Sequence, residues 1–308
     1  MELWRHALLL SLACAVSPAG TAPLLEDIET GPWCSTPSVK EPLLPSYPVG
    51  RKTVTGAGAH FSWIVFEHLR PALERRHNVR LHLRGRESML GAGCNAGIKK
   101  SRENRPGNET LGFACSPLSD EEVQAEGLTV YPTALEPLLI LVNRANPVDD
   151  LSVEEVRAIF RGDIRNWKEV GGNDQPIVPL FRPHCSKRPG HWKTILPTLD
   201  LFRKDAFTVR SEAEVVQRVS DFTEGIGNVG ATWDFAAEDR VKVIEVSGTA
   251  PTAEALKAGR YPFYQQLSAI THGKVSKELD ALLLDAQTSD ELRRVARQYE
   301  FVPLNAAR

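Results

Sequence analysis

The sequence predicts an α/β protein with two lobes and largely parallel sheets. Short β-rich segments alternate along the chain with segments of helical period, which is the pattern of strands joined by crossover helices. Glycine-rich turns separate several of these segments. The chain of 308 residues is also long enough to form two lobes.

The elements of the first lobe follow one another from residue 52. Residues 52–55 predict a short strand that enters a glycine turn at 56–61. A helix fits residues 61–76, because apolar side chains recur there every three or four positions. Residues 79–83 alternate as a strand does, and the glycine-rich turn 91–98 opens the next helix.

The middle of the chain carries clear helix-start signals. Residues 111–114 predict a buried strand, and Ser119 with Glu122 then forms a capping box. The long apolar segment 130–142 is rich in β-formers and interrupted by proline, so we expect a strand that crosses between the lobes.

A second capping signal begins at Ser152, with a helix over 153–160 that Gly162 ends. The remaining predicted elements are a strand at 177–181, a strand and turn at 225–233, a returning segment at 261–271 and one amphipathic helix at 276–298.

Composition excludes several function classes. A formal charge of -2 leaves no strongly basic surface to neutralise nucleic-acid phosphates. No apolar run reaches the roughly 20 residues that cross a bilayer. No nucleophile, phosphate-loop or paired-carboxylate motif stands in a recognisable frame. We therefore expect a binding protein without a cofactor, rather than an enzyme or a nucleic-acid binder.

The N-terminus has the pattern of an export signal. Arg5 precedes an apolar stretch at 7–16, and small residues at 17–19 suit cleavage. This predicts a signal peptide at 1–19 and a periplasmic protein. A lipid anchor at Cys14 is disfavoured, because Ser11 stands where a large aliphatic residue is required.

Three cysteines lie in loops that begin or precede predicted helices. They are Cys94, Cys115 and Cys185, whereas Cys34 lies in a Pro- and Ser-rich extension over 20–51. Thiols prefer soft, thiophilic ligands to hard oxyanions. In an exported protein the alternative is a disulfide, in the first place Cys94–Cys115.

The order and spacing of the motifs resemble the phosphate-type substrate-binding proteins of ABC transporters, which have the class II periplasmic binding fold. The motifs are TGAGAHF, GFACSPLSDEE and LSVEEVRAIFRGDIRNWKEVGG followed by FRPHCS. The resemblance implies a ligand cleft between two lobes. We expect lobe 1 at 52–136 and 265–308, and lobe 2 at 137–264.

The family's ligand contacts can be carried over position by position. They fall on His60, Phe61, Cys94, Cys115, Arg182 and Ser186, with Cys185 beside the last. A thiol donates hydrogen bonds poorly, so phosphate loses several good donors in such a site. Three converging thiolates suit arsenite or antimonite instead. For Arg182 a structural ion pair is an equally good interpretation.

Fold and cysteines together resemble periplasmic arsenite-binding proteins that work beside sensor kinases. The resemblance implies arsenite or antimonite as the ligand and a membrane sensor histidine kinase as the partner. Three alternatives stay open: an ABC permease as partner, phosphate or another oxyanion as ligand, and Zn²⁺ or Cu(I) held with His60 or His184.

Overall fold

The computed structural model describes residues 51–84, 94–183, 192–232 and 239–304, with side chains from residue 96 in the second stretch. The predicted signal peptide, the extension, Cys14 and Cys34 lie outside these ranges. The described strands are β1 (Lys52–Gly58), β2 (Val79–Arg84), β3 (Glu109–Ala114), β4 (Leu128–Asn143), β5 (Asp150–Leu151), β6 (Val178–Phe181), β7 (Phe207–Thr208), β8 (Gly225–Gly230), β9 (Val241–Val246), β10 (Tyr264–His272) and β11 (Val302–Pro303).

The helices alternate with these strands, as the sequence predicts. They are α1 (His60–His77), α2 (Cys94–Ser101), α3 (Asp120–Ala125), α4 (Val153–Arg161), α5 (Trp192–Ile195), α6 (Glu212–Asp221), α7 (Ala253–Lys257), α8 (Lys277–Thr288) and α9 (Asp290–Tyr299). In the described part of the chain, none of them combines the length and apolar character needed to cross a membrane.

The strands form one mixed sheet with the order β2-β1-β3-β10-β4-β8-β6-β7. Strand β1 pairs in parallel with β2 and β3, whereas β10 runs antiparallel to both β3 and β4. The expectation of largely parallel sheets is therefore wrong. The reason is that two long strands, β4 and β10, lie side by side in the middle of the sheet and pair in opposite directions.

Strand β4 tolerates its prolines at one irregular position of this pairing. The register between β4 and β10 shifts between Leu267 and Ser268, where Ser268 faces Pro132 and Thr133 is passed over. A proline has no N–H for a ladder hydrogen bond, so such a bulge is a suitable place for it. The prediction of a long, proline-interrupted strand is confirmed.

Two hydrophobic clusters lie along this sheet. One is built on β1, β3, β10, α1, α8 and α9, and it extends to buried residues of β8 and α6. The other is built on the second half of β4 together with α4, β6 and the segment before β10, around Trp167 and Phe160. The division into lobes at 52–136 with 265–308 and at 137–264 stays a prediction.

The local helix signals are confirmed, with one exception. Ser119 and Ser152 both form complete capping boxes, and Gly162 ends α4 in the left-handed conformation at φ 95°. The single helix predicted at 276–298 is wrong, because Ser289 breaks it. Ser289 takes an extended conformation, ends α8, and accepts a hydrogen bond from the backbone N–H of Leu292 at the start of α9.

Candidate functional site

The junction of β1 and α1 depends on Gly58. This glycine has φ +139°, and a Cβ at its position would lie 2.4 Å from the carbonyl oxygen of Phe113. The next residue, Ala59, donates its backbone N–H to that same oxygen at 3.0 Å. Strand β1 therefore runs three residues further than predicted, and the chain turns directly into α1 beside the end of β3.

The first turn of α1 carries no acidic residue and no side-chain cap. The first N–H groups of a helix have no acceptor within the helix, and they carry the positive end of its dipole. Such a helix start attracts anions. Gly58 and Ala59 place it at the carboxyl end of β1.

Helix α2 lies unusually close to β3 because two glycines face each other. A Cβ on Gly97 would lie 2.3 Å from the oxygen of Phe113, and a Cβ on Gly112 would lie 2.0 Å from the oxygen of Gly97. Neither position accepts a side chain without movement of the backbone. This contact fixes α2, whose first residue is Cys94, one turn before Gly97. The Cys94 side chain lies outside the described residues.

Cys115 directly follows β3 at the same edge of the sheet. Its side chain is 4% exposed and is a thiol, not half of a disulfide. The Cys94–Cys115 bridge that the sequence left open is therefore not present. Burial in apolar surroundings makes a thiol unreactive unless a positive group or a ligand stabilises the thiolate.

His60 and Phe61 begin α1 and are both buried. The His60 ring lies 5.7 Å from the Phe61 ring and 5.5 Å from the Trp63 ring, measured between centroids. Phe61 belongs to the larger hydrophobic cluster, which explains its burial. The prediction that both residues contact a ligand stays a prediction.

Ser62 is a positioning residue that the sequence analysis missed. Its hydroxyl donates to the carbonyl oxygen of Ala114 and accepts the backbone N–H of Ser268 at 3.3 Å. These bonds tie the first turn of α1 to β3 and β10. No sequence signal marks a serine inside a helix for this role, since both partners are distant in the chain.

Arg182 follows β6 and makes a buried ion pair. Its Nη1 donates to Oε1 of Glu212 at 2.7 Å, and its Nε donates to the carbonyl oxygen of Arg210 at 2.8 Å. The side chains of Arg182 and Glu212 are 5% and 3% exposed. The sequence offered two interpretations of Arg182, a structural ion pair and ligand binding, and the ion pair is present. A buried charge without its partner is strongly destabilising, so the ion pair holds the end of β6 to the start of α6.

Glu136 is a fully buried carboxylate in β4 that the sequence analysis did not single out. Its Oε1 accepts from the backbone N–H and the hydroxyl of Thr232, each at 2.6 Å. Its Oε2 accepts from Nε2 of Gln265 in β10 at 2.6 Å. Burial raises the pKa of Glu136 to about 7 although these hydrogen bonds lower it, and the charge of Glu212 raises it further.

The structure thus brings His60, Cys115 and the start of α2 to one edge, at the carboxyl ends of β1 and β3. Arg182 lies at the carboxyl end of β6. His184, Cys185 and Ser186 lie outside the described residues. Within the described ranges, no group of three or more His, Cys, Asp or Glu side chains is arranged to hold a metal ion.

Comparison with known proteins identifies the family. The family described as the PBP superfamily domain matches residues 107–286, which is more than half of the chain. The phosphate-binding protein PstS of Bacillus subtilis is 26% identical over 185 residues, and PstS of Borreliella burgdorferi is 24% identical over 193 residues. Each match covers 60% of this chain; the chain spans 60% of the first relative's length and 69% of the second's.

Solved structures show the fold. A phosphate ABC transporter substrate-binding protein with bound phosphate from Clostridium perfringens superposes with a TM-score of 0.68 at 21% identity, covering 82% of this chain and all of that one. An ABC-type phosphate transport receptor from Vibrio cholerae gives 0.62 at 22% identity, with 82% and 99% covered. The predicted two-lobed class II fold, with its cleft between the lobes, is confirmed. The chain therefore belongs to the PBP superfamily, and the relatives it matches there are phosphate-binding proteins.

Proposed function

We propose that this chain is the substrate-binding component of an ABC transporter, and that it binds phosphate or a closely related inorganic oxyanion in the cleft. The observation that carries the proposal is the start of α1, an uncapped helix N-terminus without acidic residues at the carboxyl edge of β1. Relatives named for phosphate, in sequence and in structure, support the same ligand class. They favour the oxyanion alternative over the arsenite hypothesis.

An oxyanion gains charge-assisted hydrogen bonds from backbone N–H groups at such a helix start. The glycine contacts at Gly58 and Gly97 keep α1 and α2 in fixed positions beside β3. Donors that are held in place before binding lose little entropy when the ligand arrives. The edge is therefore suited to a small anion without any large side-chain rearrangement.

Cys115 changes how strongly the cleft binds its anion. A thiol is a weaker donor than a hydroxyl, and a thiolate repels an anion. Each good hydrogen bond to a charged group contributes ~1.5–3 kcal/mol. We therefore expect oxyanion binding in this chain to be weaker than in a cleft with oxygen ligands at that position.

Strands β4 and β10 would form the hinge between the two lobes. Both run through the centre of the sheet, where Gln265 of β10 donates to Glu136 of β4, and Thr232, which follows β8, donates to the same buried carboxylate. Closure of the two lobes around a ligand creates a surface formed by both lobes, which a membrane partner can recognise. An ABC permease is the partner that the names of the relatives support. Export to the periplasm belongs to the same proposal.

A second candidate function is the capture of arsenite or antimonite for a membrane sensor kinase. The observation in its favour is Cys115, a buried thiol at the carboxyl edge of β3. Cys94 is the first residue of the neighbouring helix α2, and the resemblance to arsenite-binding proteins assigns it to the same site. The resemblance implies a metalloid site formed by the thiolates of Cys94, Cys115 and Cys185.

Calorimetry of the purified chain under reducing conditions tests both candidates. Phosphate, arsenate, sulfate, arsenite and Zn²⁺ are titrated separately into the protein. The proposal predicts saturable 1:1 binding of phosphate or arsenate, with no turnover of the ligand. Binding of arsenite alone, lost in Cys115→Ser, would replace it with the second candidate. Tight Zn²⁺ binding without anion binding would contradict both.

A further inference from the structure

The edge strand β2 has one apolar face and one basic face. Val79 and Leu81 are buried in the larger hydrophobic cluster, whereas Arg80, His82 and Arg84 alternate with them on the opposite side. A strand presents alternate residues to opposite faces of its sheet. Three basic or imidazole side chains therefore share one face of β2, and the cleft does not account for them.

That face is the one on which α2 lies. In the sheet, Thr55 of β1 stands between His82 of β2 and Thr110 of β3. Residues paired in this way point to the same face. The hydroxyl of Thr110 donates to the carbonyl oxygen of Lys100 in α2 at 2.8 Å, which places α2 over this face. The side chains of β2 therefore lie beside α2.

A cavity of about 160 Å³ opens between β2, β1 and the end of α2. The side chains that line it are those of Thr55, His82, Arg84, Lys100, Glu103 and Asn108. Arg84 Nε lies 3.4 Å from His82 Nε2, and Lys100 Nζ lies 2.8 Å from an oxygen of Glu103. Among the described residues, the lining combines two cations, an imidazole, an amide and a hydroxyl with one carboxylate.

The hydroxyl of Thr55 is an independent sign of a missing ligand. Thr55 is 8% exposed, and its Oγ1 is buried without a hydrogen-bond partner among the described residues. A buried polar group without a partner costs about 1–3 kcal/mol, so native proteins seldom leave one. An acceptor atom in the cavity would satisfy this hydroxyl.

We propose that this cavity is a second anion site, outside the cleft, that binds a small oxyanion such as phosphate or sulfate. Thr55, His82, Arg84 and Asn108 line the same cavity and each carries a hydrogen-bond donor, which suits a small oxyanion. The site is distinct from the cleft because Lys100 lies in the last turn of α2 and Glu103 follows that helix, whereas Cys94 begins it.

The charges of the lining predict whether each substitution strengthens or weakens anion binding. Glu103 neutralises Lys100 and repels an anion at the same time. Removing the carboxylate in Glu103→Gln should therefore tighten anion binding. Removing the guanidinium in Arg84→Gln should weaken it by about tenfold or more, the effect of one charge-assisted hydrogen bond.

The test follows the His82 ring signals of the full chain by NMR during titration with inorganic phosphate and with sulfate. His82→Gln identifies those signals. We expect a saturable shift in the native chain, weaker binding in Arg84→Gln and Thr55→Val, and tighter binding in Glu103→Gln. The control is Lys99→Gln, which removes an exposed cation of α2 that does not line the cavity and should leave the titration unchanged.

Cys115→Ser distinguishes the second site from the cleft. This substitution changes a residue at the cleft edge, so it should leave the His82 titration unchanged even if it alters ligand binding in the cleft. The proposal is overturned if the His82 signals do not respond, or if Arg84→Gln and Lys99→Gln titrate alike. A response that Cys115→Ser alters as much as Arg84→Gln would also overturn it, because the signals would then report binding in the cleft.

Discussion

Nε2 of Gln265 donates to Oε2 of Glu136 at 2.6 Å, and so connects β10 to β4 at the centre of the sheet. The two residues are register partners in these antiparallel strands. Oε1 of Gln265 is buried and has no hydrogen-bond partner among the described residues. Protonated Glu136 could donate to that oxygen after a flip of the amide, so the surroundings suit the neutral acid as well as the carboxylate.

This relationship predicts a pH-dependent stability. The pKa of Glu136 is about 7 in the folded protein, above the ordinary value of 4.5 that it regains on unfolding. The folded state therefore favours the protonated acid. The stabilisation is complete below about pH 4.5 and is lost as the pH rises to 7, for a total of about 3 kcal/mol.

Glu136→Gln should remove this part of the pH dependence, because an amide does not titrate. The measurement is the free energy of unfolding by urea at intervals from pH 4.5 to 8. The control is Glu121→Gln, which changes an exposed carboxylate of α3. An identical pH profile for the native chain and Glu136→Gln would refute the assignment.

The burial of the ion pair between Arg182 and Glu212 predicts that breaking it lowers the free energy of unfolding much more than breaking an exposed ion pair does. Arg182→Met leaves the Glu212 carboxylate buried without its partner, so we expect a loss of about 3–5 kcal/mol in the free energy of unfolding. Arg161→Met, which breaks the exposed pairs with Glu154 and Asp163, should cost less than about 1 kcal/mol. Equal losses in the two variants would show that the Arg182 pair is not buried as described.

The close contact of α2 with β3 predicts that Gly97 tolerates no side chain. In Gly97→Ala the new Cβ meets the backbone oxygen of Phe113, which cannot turn away as a side chain can. We expect a loss of ~2 kcal/mol or more in stability. Calorimetry should also show weaker ligand binding, because the start of α2 moves. Lys99→Ala, on the exposed side of α2, is the control; a Gly97→Ala chain that matches it would contradict the contact.

Local signals in the sequence predicted local structure well. Ser119, Ser152 and Gly162 act on backbone groups within four residues, so their roles could be recognised from neighbouring residues alone. The sequence did not lead to a prediction of the break at Ser289. Ser289 with Asp290 and Glu291 is a helix-start signal, but the helical period continues across it and concealed the break.

Contacts between distant residues could not be predicted in the same way. Nothing in the sequence pairs Arg182 with Glu212, or Glu136 with Thr232 and Gln265. These partners meet only when the strands have their final order. The cysteine loops were easier to notice, but residue type alone left their ligand open. A buried thiol at Cys115 is compatible with a weak oxyanion site and with a metalloid site.

The most direct test of the central claim is calorimetry of phosphate and arsenite binding to the native chain and to Cys115→Ser. A hydroxyl donates hydrogen bonds better than a thiol, so an oxyanion cleft predicts that Cys115→Ser binds phosphate as tightly as the native chain or up to ~10-fold more tightly. Arsenite should then bind neither protein tightly. Tight arsenite binding to the native chain, lost in Cys115→Ser and without measurable phosphate binding in either protein, would contradict the claim.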